Sequence, residues 1–223
     1  MKNKKAIIIS IIVLIILAIL LGIVGRKIYI IKDINNRVSK YEENTNVYVK
    51  SYSDSEEIAA KYTEKYRLDD MYREKMKRRN EESYLDTFID GNEIKMYMDS
   101  PDAKVLTKKE NDGKNKNFIN LIPNYYKYEN FKELLSNSIH TSIKSEKING
   151  KDCYILSGIK NPNLLVEEGT KKIEVYVEKE TGLTVMVKTY KENSVIQENY
   201  EYKFGSLTEK DLEQPDESKY EIK

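Results

Sequence analysis

The sequence predicts a mainly β chain of the α+β class, an antiparallel sheet with short helices behind an apolar N-terminal helix. Three observations carry this. Residues 6–25, "AIIISIIVLIILAILLGIVG", contain no charge. From Asn46 onward, short alternating runs of apolar and polar residues are separated by Asp, Asn and Gly turns. Tyrosine occurs 18 times and tryptophan never, which suits half-buried strands whose rings pack while their hydroxyls stay wet.

The first element is a transmembrane helix. As an α-helix, twenty uncharged residues span about 30 Å, the thickness of a bilayer's hydrocarbon core. Only Ser10, Gly22 and Gly25 interrupt the apolar character, so no polar stripe marks a core helix, and "GIVGRK" is a poor cleavage site. Lys2, Lys4 and Lys5 precede the span, while Arg26, Lys27, Lys32 and Arg37 follow it, so charge alone leaves orientation nearly balanced. A short basic tip followed at once by an apolar run behaves as a signal-anchor. The expected arrangement is a cytoplasmic tip and transmembrane helix over 1–27, a helical stalk or first domain helix over 28–45, and an extracytoplasmic domain over 46–223. The bilayer, through residues 6–25, is the first expected partner.

Ile31, Ile34, Val38 and Tyr41 continue the helical spacing to about residue 43. Strands follow. Leu68, Met71, Tyr72, Lys75 and Met76 would share one face of a helix, but placing Asp69-Asp70 in a turn pairs Leu68 with Met71, Lys65 with Glu74 and Glu64 with Lys75, and the facing opposite charges favour the hairpin. An Asp90-Gly91 turn puts Leu85, Ile89, Ile94, Met96 and Met98 on one face, with Tyr84 and Tyr97 on the other. Asn149-Gly150 marks another hairpin. The charged stretch "TKKENDGKNKN" reads as a loop, and "IPNYYKYENFKELLSNSI" as a helix carrying Tyr128, Phe131, Leu134 and Leu135. That helix is expected to cover the sheet.

In "VYVEKETGLTVMVKTY" a turn over Glu178–Thr181, with Gly182 in the left-handed region, pairs Val177 with Leu183, Val175 with Val185 and Ile173 with Val187. A turn near Asn193 adds Ile196, Tyr200, Tyr202 and Phe204 to the same face. These ten residues form a continuous apolar surface and are the candidate ligand contacts. The opposite face, with Glu174, Tyr176, Glu178, Thr184, Met186 and Lys188, is expected to be solvated. Thr208 and Asp211 signal a short capped helix in "LTEKDL", and Tyr220 and Ile222 a closing strand.

The segments "DDMYREKMK", "YLDTFIDGNEIKMYM", "INGKDCYIL" and "VYVEKETGLTVMVKTY…YEYKFGSLTEKDLEQPDESKYEI" resemble, in order and character, the strand-turn units of the extracytoplasmic lipoprotein-carrier (LolA-like) superfamily. The resemblance extends over residues 46–223 and includes membrane-anchored bacterial members. It implies a curved antiparallel sheet, an open half-barrel covered by one or two short helices, with room for acyl chains between sheet and helices. It also implies that a related domain serves as an envelope regulator holding a protein partner.

Other chemistry is poorly represented. The chain has 38 basic and 37 acidic residues; the first 27 positions hold five of the basic ones and no acid. The remaining 33 against 37 give a net charge of about −4. That lacks the basic footprint a nucleic-acid partner requires. His140 is the single histidine and Cys153 the single cysteine, so no disulfide framework exists and a zinc site or catalytic triad has few donors. Cys153 reads as a small buried strand residue and His140 as a surface or boundary residue. Asp69-Asp70, Glu82 with Asp86, and Asp211 with Asp216 read as solvated charge. "ENDGKNKN" lacks the ligand spacing of a calcium loop, and no phosphate loop or dinucleotide fingerprint occurs. No cofactor is expected and the chain is not expected to be an enzyme. Two functions remain: a membrane-tethered module binding a lipid, acyl chain or lipoprotein, and an envelope domain that binds a protein partner. For the second, the apolar face is core alone and Tyr84, Tyr97 and Tyr176 offer contact surface.

Overall fold

The computed structural model describes residues 2–79, 82–111, 121–128, 130–158 and 169–223, with side chains from residue 7 onward. A single helix, α1 (Lys2–Glu42), runs through both the apolar segment and the spacing that follows it. Nothing in this stretch breaks it: there is no proline, and Leu, Ile and Ala dominate. The two halves differ in environment. Ile7 to Ile23 are about half or more exposed, whereas Ile30, Ile31, Ile34 and Val38 are buried. Residues 28–42 are therefore built into the folded domain as its covering helix.

Twelve strands among the described residues form one sheet: β1 (Asn46–Ser53), β2 (Ala60–Leu68), β3 (Met71–Arg78), β4 (Tyr84–Asp90), β5 (Glu93–Asp99), β6 (Lys104–Glu110), β7 (Ser142–Ile148), β8 (Lys151–Ser157), β9 (Lys172–Glu178), β10 (Thr184–Tyr190), β11 (Val195–Phe204) and β12 (Glu221–Ile222). The order is β12-β6-β5-β4-β3-β2-β1-β11-β10-β9-β8-β7. All neighbours are antiparallel except β12 with β6. The sheet is open, with β7 and β12 at its edges, and agrees with the fold class expected from the lipoprotein-carrier resemblance.

Several registers are those the sequence predicts. Leu68 pairs with Met71, Lys65 with Glu74 and Glu64 with Lys75. The Lys65–Glu74 ion pair measures 3.4 Å. Asn149 and Gly150 turn at φ 50° and 84° between β7 and β8. The β4–β5 turn is centred one residue later than expected, on Gly91-Asn92, because Asp90 pairs with Glu93; the facing of Leu85, Ile89, Ile94, Met96 and Met98 is preserved. Of the expected charged loop after Ala103, residues 107–110 belong to β6, residue 111 follows it, and 112–117 lie outside the described residues.

The cover of the sheet is the main departure. Ile30, Ile31 and Ile34 of α1 pack on Leu156, Ile173, Val175, Val177 and Val187, joined by Tyr126 and by Leu134 of α2 (Phe131–His140). Val38 joins Val47, Val49, Leu121, Ile122 and Leu183. So α1 supplies most of the cover, and α2 contributes chiefly Leu134, while Phe131 stays exposed. Each such aliphatic burial stabilises by about 1.5–3 kcal/mol.

The other face of the sheet is not solvated as expected. Tyr97 is buried with Phe88 and Leu106, against Tyr220 of the C-terminal segment. That segment carries 3-10 turns at Glu209–Leu212 and Glu217–Lys219, the first closed by the Thr208–Asp211 capping box. Glu174, Tyr176 and Met186 are likewise buried, the last two against Ile155, while Thr184 is buried on the helix side instead. Two-faced burial explains the error: alternation of period two identifies a face but not whether a later segment folds over its back.

Candidate functional site

The β9–β10 hairpin departs from the expected pairing in a way that opens the sheet. Its turn closes with the Gly182 amide donating to the Glu178 carbonyl at 2.9 Å and the Glu178 amide to the Leu183 carbonyl at 3.0 Å. Val177 then pairs with Thr184 and Tyr176 with Met186, leaving Val185 as the extra residue of a β-bulge. Val175 consequently faces Val187, and Ile173 faces Thr189. The six side chains expected on one face are thus five, because Val185 is turned to the outer side beside Ile155, Tyr176 and Met186. Thr184 takes the inward place, where its carbonyl accepts from the Tyr202 hydroxyl at 2.7 Å.

Beyond the bulge the two strands part. β10 pairs with β11 only from Met186–Asn199 to Tyr190–Val195, whereas β1 follows β11 to Phe204. The gap holds an open groove of about 870 Å3. Leu183, Tyr200, Tyr202 and Phe204 line it from the helix side, and Val185, Met186, Lys188, Gln197 and Asn199 from the outer side. Tyr200, Tyr202 and Phe204 stack along β11, with centroids 6.5 and 6.3 Å apart and planes within 15° and 4°. Tyr41 of α1 closes the end of the stack, 4.8 Å from Phe204. The rim is charged, with Lys151, Glu178, Glu201 and Lys203. Toward α1 the groove adjoins a polar recess of about 290 Å3 beside Asp33, Arg37 and Glu180.

The ring hydroxyls are tied inward. Tyr200 donates to Glu198 at 2.7 Å, and its oxygen lies 3.3 Å from that of Tyr125. Burial pushes the Tyr125 phenol up to about 12 and raises those of Tyr200 and Tyr202 well above the ordinary tyrosine value. The tyrosines therefore stay neutral, and the wall they form is apolar with polar tips.

The ten sequence-identified residues divide between two environments. Leu183, Val185, Tyr200, Tyr202 and Phe204 line the groove. Ile173, Val175, Val177 and Val187 pack under α1, and Ile196 is buried beside them in the sheet, opposite Thr189. Tyr41 and Met186 were not anticipated as wall residues. Tyr41 is legible as a member of the helical spacing; Met186 lies on the outer face as expected, but there it is buried against Ile155 and Tyr176 and meets the groove instead of solvent.

Cys153 is fully buried in β8, where burial raises its thiol pKa. His140 is the exposed last residue of α2. Among the described residues no cluster of three or more His, Cys, Asp or Glu side chains is placed to hold a metal.

No family model and no curated protein matches the sequence. Solved structures do. An uncharacterized conserved protein from Thermus thermophilus superposes with TM-score 0.51 at 14% identity, covering 86% of this chain and 98% of its own. LprF from Mycobacterium bovis gives 0.45 at 9% identity, covering 82% and 95%. A putative outer membrane lipoprotein-sorting protein domain from Vibrio parahaemolyticus gives 0.28 at 13% identity, covering 85% and 97%. The first likeness shows a shared fold; at these identities no function follows from any of the three.

Proposed function

We propose that the chain is a single-pass membrane protein whose domain over residues 46–223 lies on the extracytoplasmic side and binds an apolar ligand, a lipid, acyl chain or lipoprotein. The observation that carries this reading is the groove in the split between β10 and β11, walled by Leu183, Val185 and the Tyr200–Tyr202–Phe204 stack. Its volume of about 870 Å3 falls in the range of about 300–1,000 Å3 typical of small-molecule sites, and it sets an apolar wall against a polar side that carries Lys188, Gln197, Asn199 and Lys203. The half of α1 before residue 25 supports the anchor: its most apolar window has mean hydropathy 3.6 and none of that window is buried. The orientation rests on the signal-anchor arrangement, a tip of five residues followed at once by the apolar run, since the flanking charges nearly balance.

A second reading has its own observation. Part of the sequence-identified face is filled by α1, as expected of an envelope domain whose apolar surface is core and whose partner is a protein. Native mass spectrometry of the full chain separates the two. A lipid-sized adduct that survives detergent exchange, and is lost in a folded Val185→Glu variant, supports the apolar ligand. A bare chain that takes up no fatty acid on titration sinks it and leaves the protein partner.

A further inference from the structure

Beyond the apolar segment, the exposed large apolar side chains among the described residues are Tyr29, Met98, Phe131, Ile139, Val195 and Ile222. Three of the six gather at one place. Tyr29, 71% exposed, stands one helical turn past Gly25, about 6 Å along the axis. Lys32 follows three residues on, on the same side of α1, and its ammonium lies 6.0 Å from the centre of the Phe131 ring. Phe131 is 61% and Ile139 54% exposed.

On α2 these side chains form a pattern. Leu134 and Ser138 face the core, while Phe131, Leu135 and Ile139 recur every four residues as a stripe beside them. The apolar arc of α2 is thus wider than α1 and the sheet cover. Lys32 places the stripe near the span: it lies about 10 Å beyond Gly25 along α1, and its ammonium is 6.0 Å from the Phe131 ring centre. The headgroup zone reaches several Å past the hydrocarbon on each side, and a tilt of about 20°, the average for spanning helices, brings one flank of a helix lower. Lys32, whose ammonium lies beside Phe131, and Lys132, the next residue on α2, put groups that pair with lipid phosphates at one end of the stripe.

We infer that Tyr29 and the Phe131–Ile139 stripe of α2 enter the headgroup region of the membrane that α1 crosses, so that the domain docks on the bilayer as well as being tied to it. The inference rests on the reading of residues 6–25 as a span. Docking fixes which way the sheet faces, and holds the groove at a set height above the lipid instead of leaving it free to swing.

The absence of tryptophan allows a direct test. Full-length Phe131→Trp, Ile139→Trp, Ile15→Trp and Ile222→Trp variants are reconstituted in phosphatidylcholine vesicles with a minority of phosphatidylglycerol. The acyl chains are brominated either near the headgroup or deep. The expected result is loss of Phe131→Trp and Ile139→Trp emission with shallow bromine, loss of Ile15→Trp emission with deep bromine, and little loss for Ile222→Trp. Quenching at Ile15→Trp with none at Phe131→Trp and Ile139→Trp beyond that of Ile222→Trp overturns the docking and leaves the span standing. No quenching at Ile15→Trp overturns the span, and the docking with it.

Discussion

Gly182 packs directly on the backbone of Ile34. A β-carbon built on Gly182 would sit 2.7 Å from the Ile34 carbonyl oxygen and 2.9 Å from Cβ of Arg37, and the residue itself is at φ +76°. The tip of the β9–β10 hairpin is thereby seated against the same helix that carries the apolar N-terminal segment. Gly182→Ala meets both a forbidden contact and a strained backbone, and is expected to destabilise by about 2–4 kcal/mol. Thermal unfolding of the full chain, followed by circular dichroism, checks it. An unchanged midpoint would mean that the hairpin is not seated on α1.

Glu174 gives a pH dependence of known sign. Burial alone would raise its pKa, but hydrogen bonds from Lys172, Tyr190 and Tyr176 outweigh it and hold the carboxyl at about 2. The tyrosine hydroxyls donate at 2.7 and 3.0 Å, and Ser157 at 3.2 Å. A carboxyl with a depressed folded-state pKa stabilises above its unfolded value of about 4.3, and that contribution fades as pH falls toward the folded value. The wild-type chain should exceed Glu174→Gln by up to about 3 kcal/mol at neutral pH, with the gap closing between about pH 4 and 2. Denaturant midpoints of both proteins across that window test this. A gap independent of pH would assign the effect to shape, not charge.

Arg73 ties the C-terminal segment to the back of the sheet. Its guanidinium donates to both carboxylate oxygens of Asp86, at 2.9 and 2.7 Å, and to the Asp211 carbonyl at 2.8 Å, with its central carbon 4.9 Å from the Phe88 ring centre. Asp86→Ala leaves that charge without its partner and is expected to cost about 3 kcal/mol. Limited trypsin digestion should then cut after Lys210 sooner than in the wild type. Equal rates would contradict the clip.

Val175 and Val185 are equivalent in the alternating pattern, but the bulge puts them on opposite faces of the sheet. Val175 is fully buried beneath α1, so Val175→Glu places a charge in the core and should unfold the domain. Val185 lines the groove, so Val185→Glu should stay within about 1 kcal/mol of wild type while abolishing uptake of an apolar ligand. Circular dichroism melts beside a fatty-acid binding assay measure both quantities. Equal destabilisation by the two changes would place Val185 in the core after all.

Hairpin chemistry was legible because it is local. Asp69-Asp70 and Asn149-Gly150 carry their registers in a few residues, the Gly182 turn was visible though its pairing was not, and Thr208–Asp211 marked its own cap. The buried positions of α1 were equally visible in Ile31, Ile34 and Val38. Three features were not legible. The bulge at Val185 goes with Leu183 packed against Val38, Leu121 and Ile122 and with Thr184 beside Pro123, contacts that alternation within one strand does not encode. The burial of Tyr97 and Tyr176 depends on neighbours brought by distant segments. Nor does sequence reveal where β10 and β11 part, since each strand pairs well with its other neighbour. The groove arises at that parting, which is why half of the candidate residues meet it and half pack as core.

Photo-crosslinking tests the central claim most directly. The full chain, reconstituted in vesicles, is exposed to a diazirine-bearing fatty acid, irradiated, digested and mapped by mass spectrometry. The account predicts adducts on Leu183, Val185, Met186 and Tyr200, competed by unlabelled fatty acid and reduced by Val185→Glu, in addition to those on residues 6–25. Adducts confined to residues 6–25 would contradict it and leave the groove without an apolar ligand.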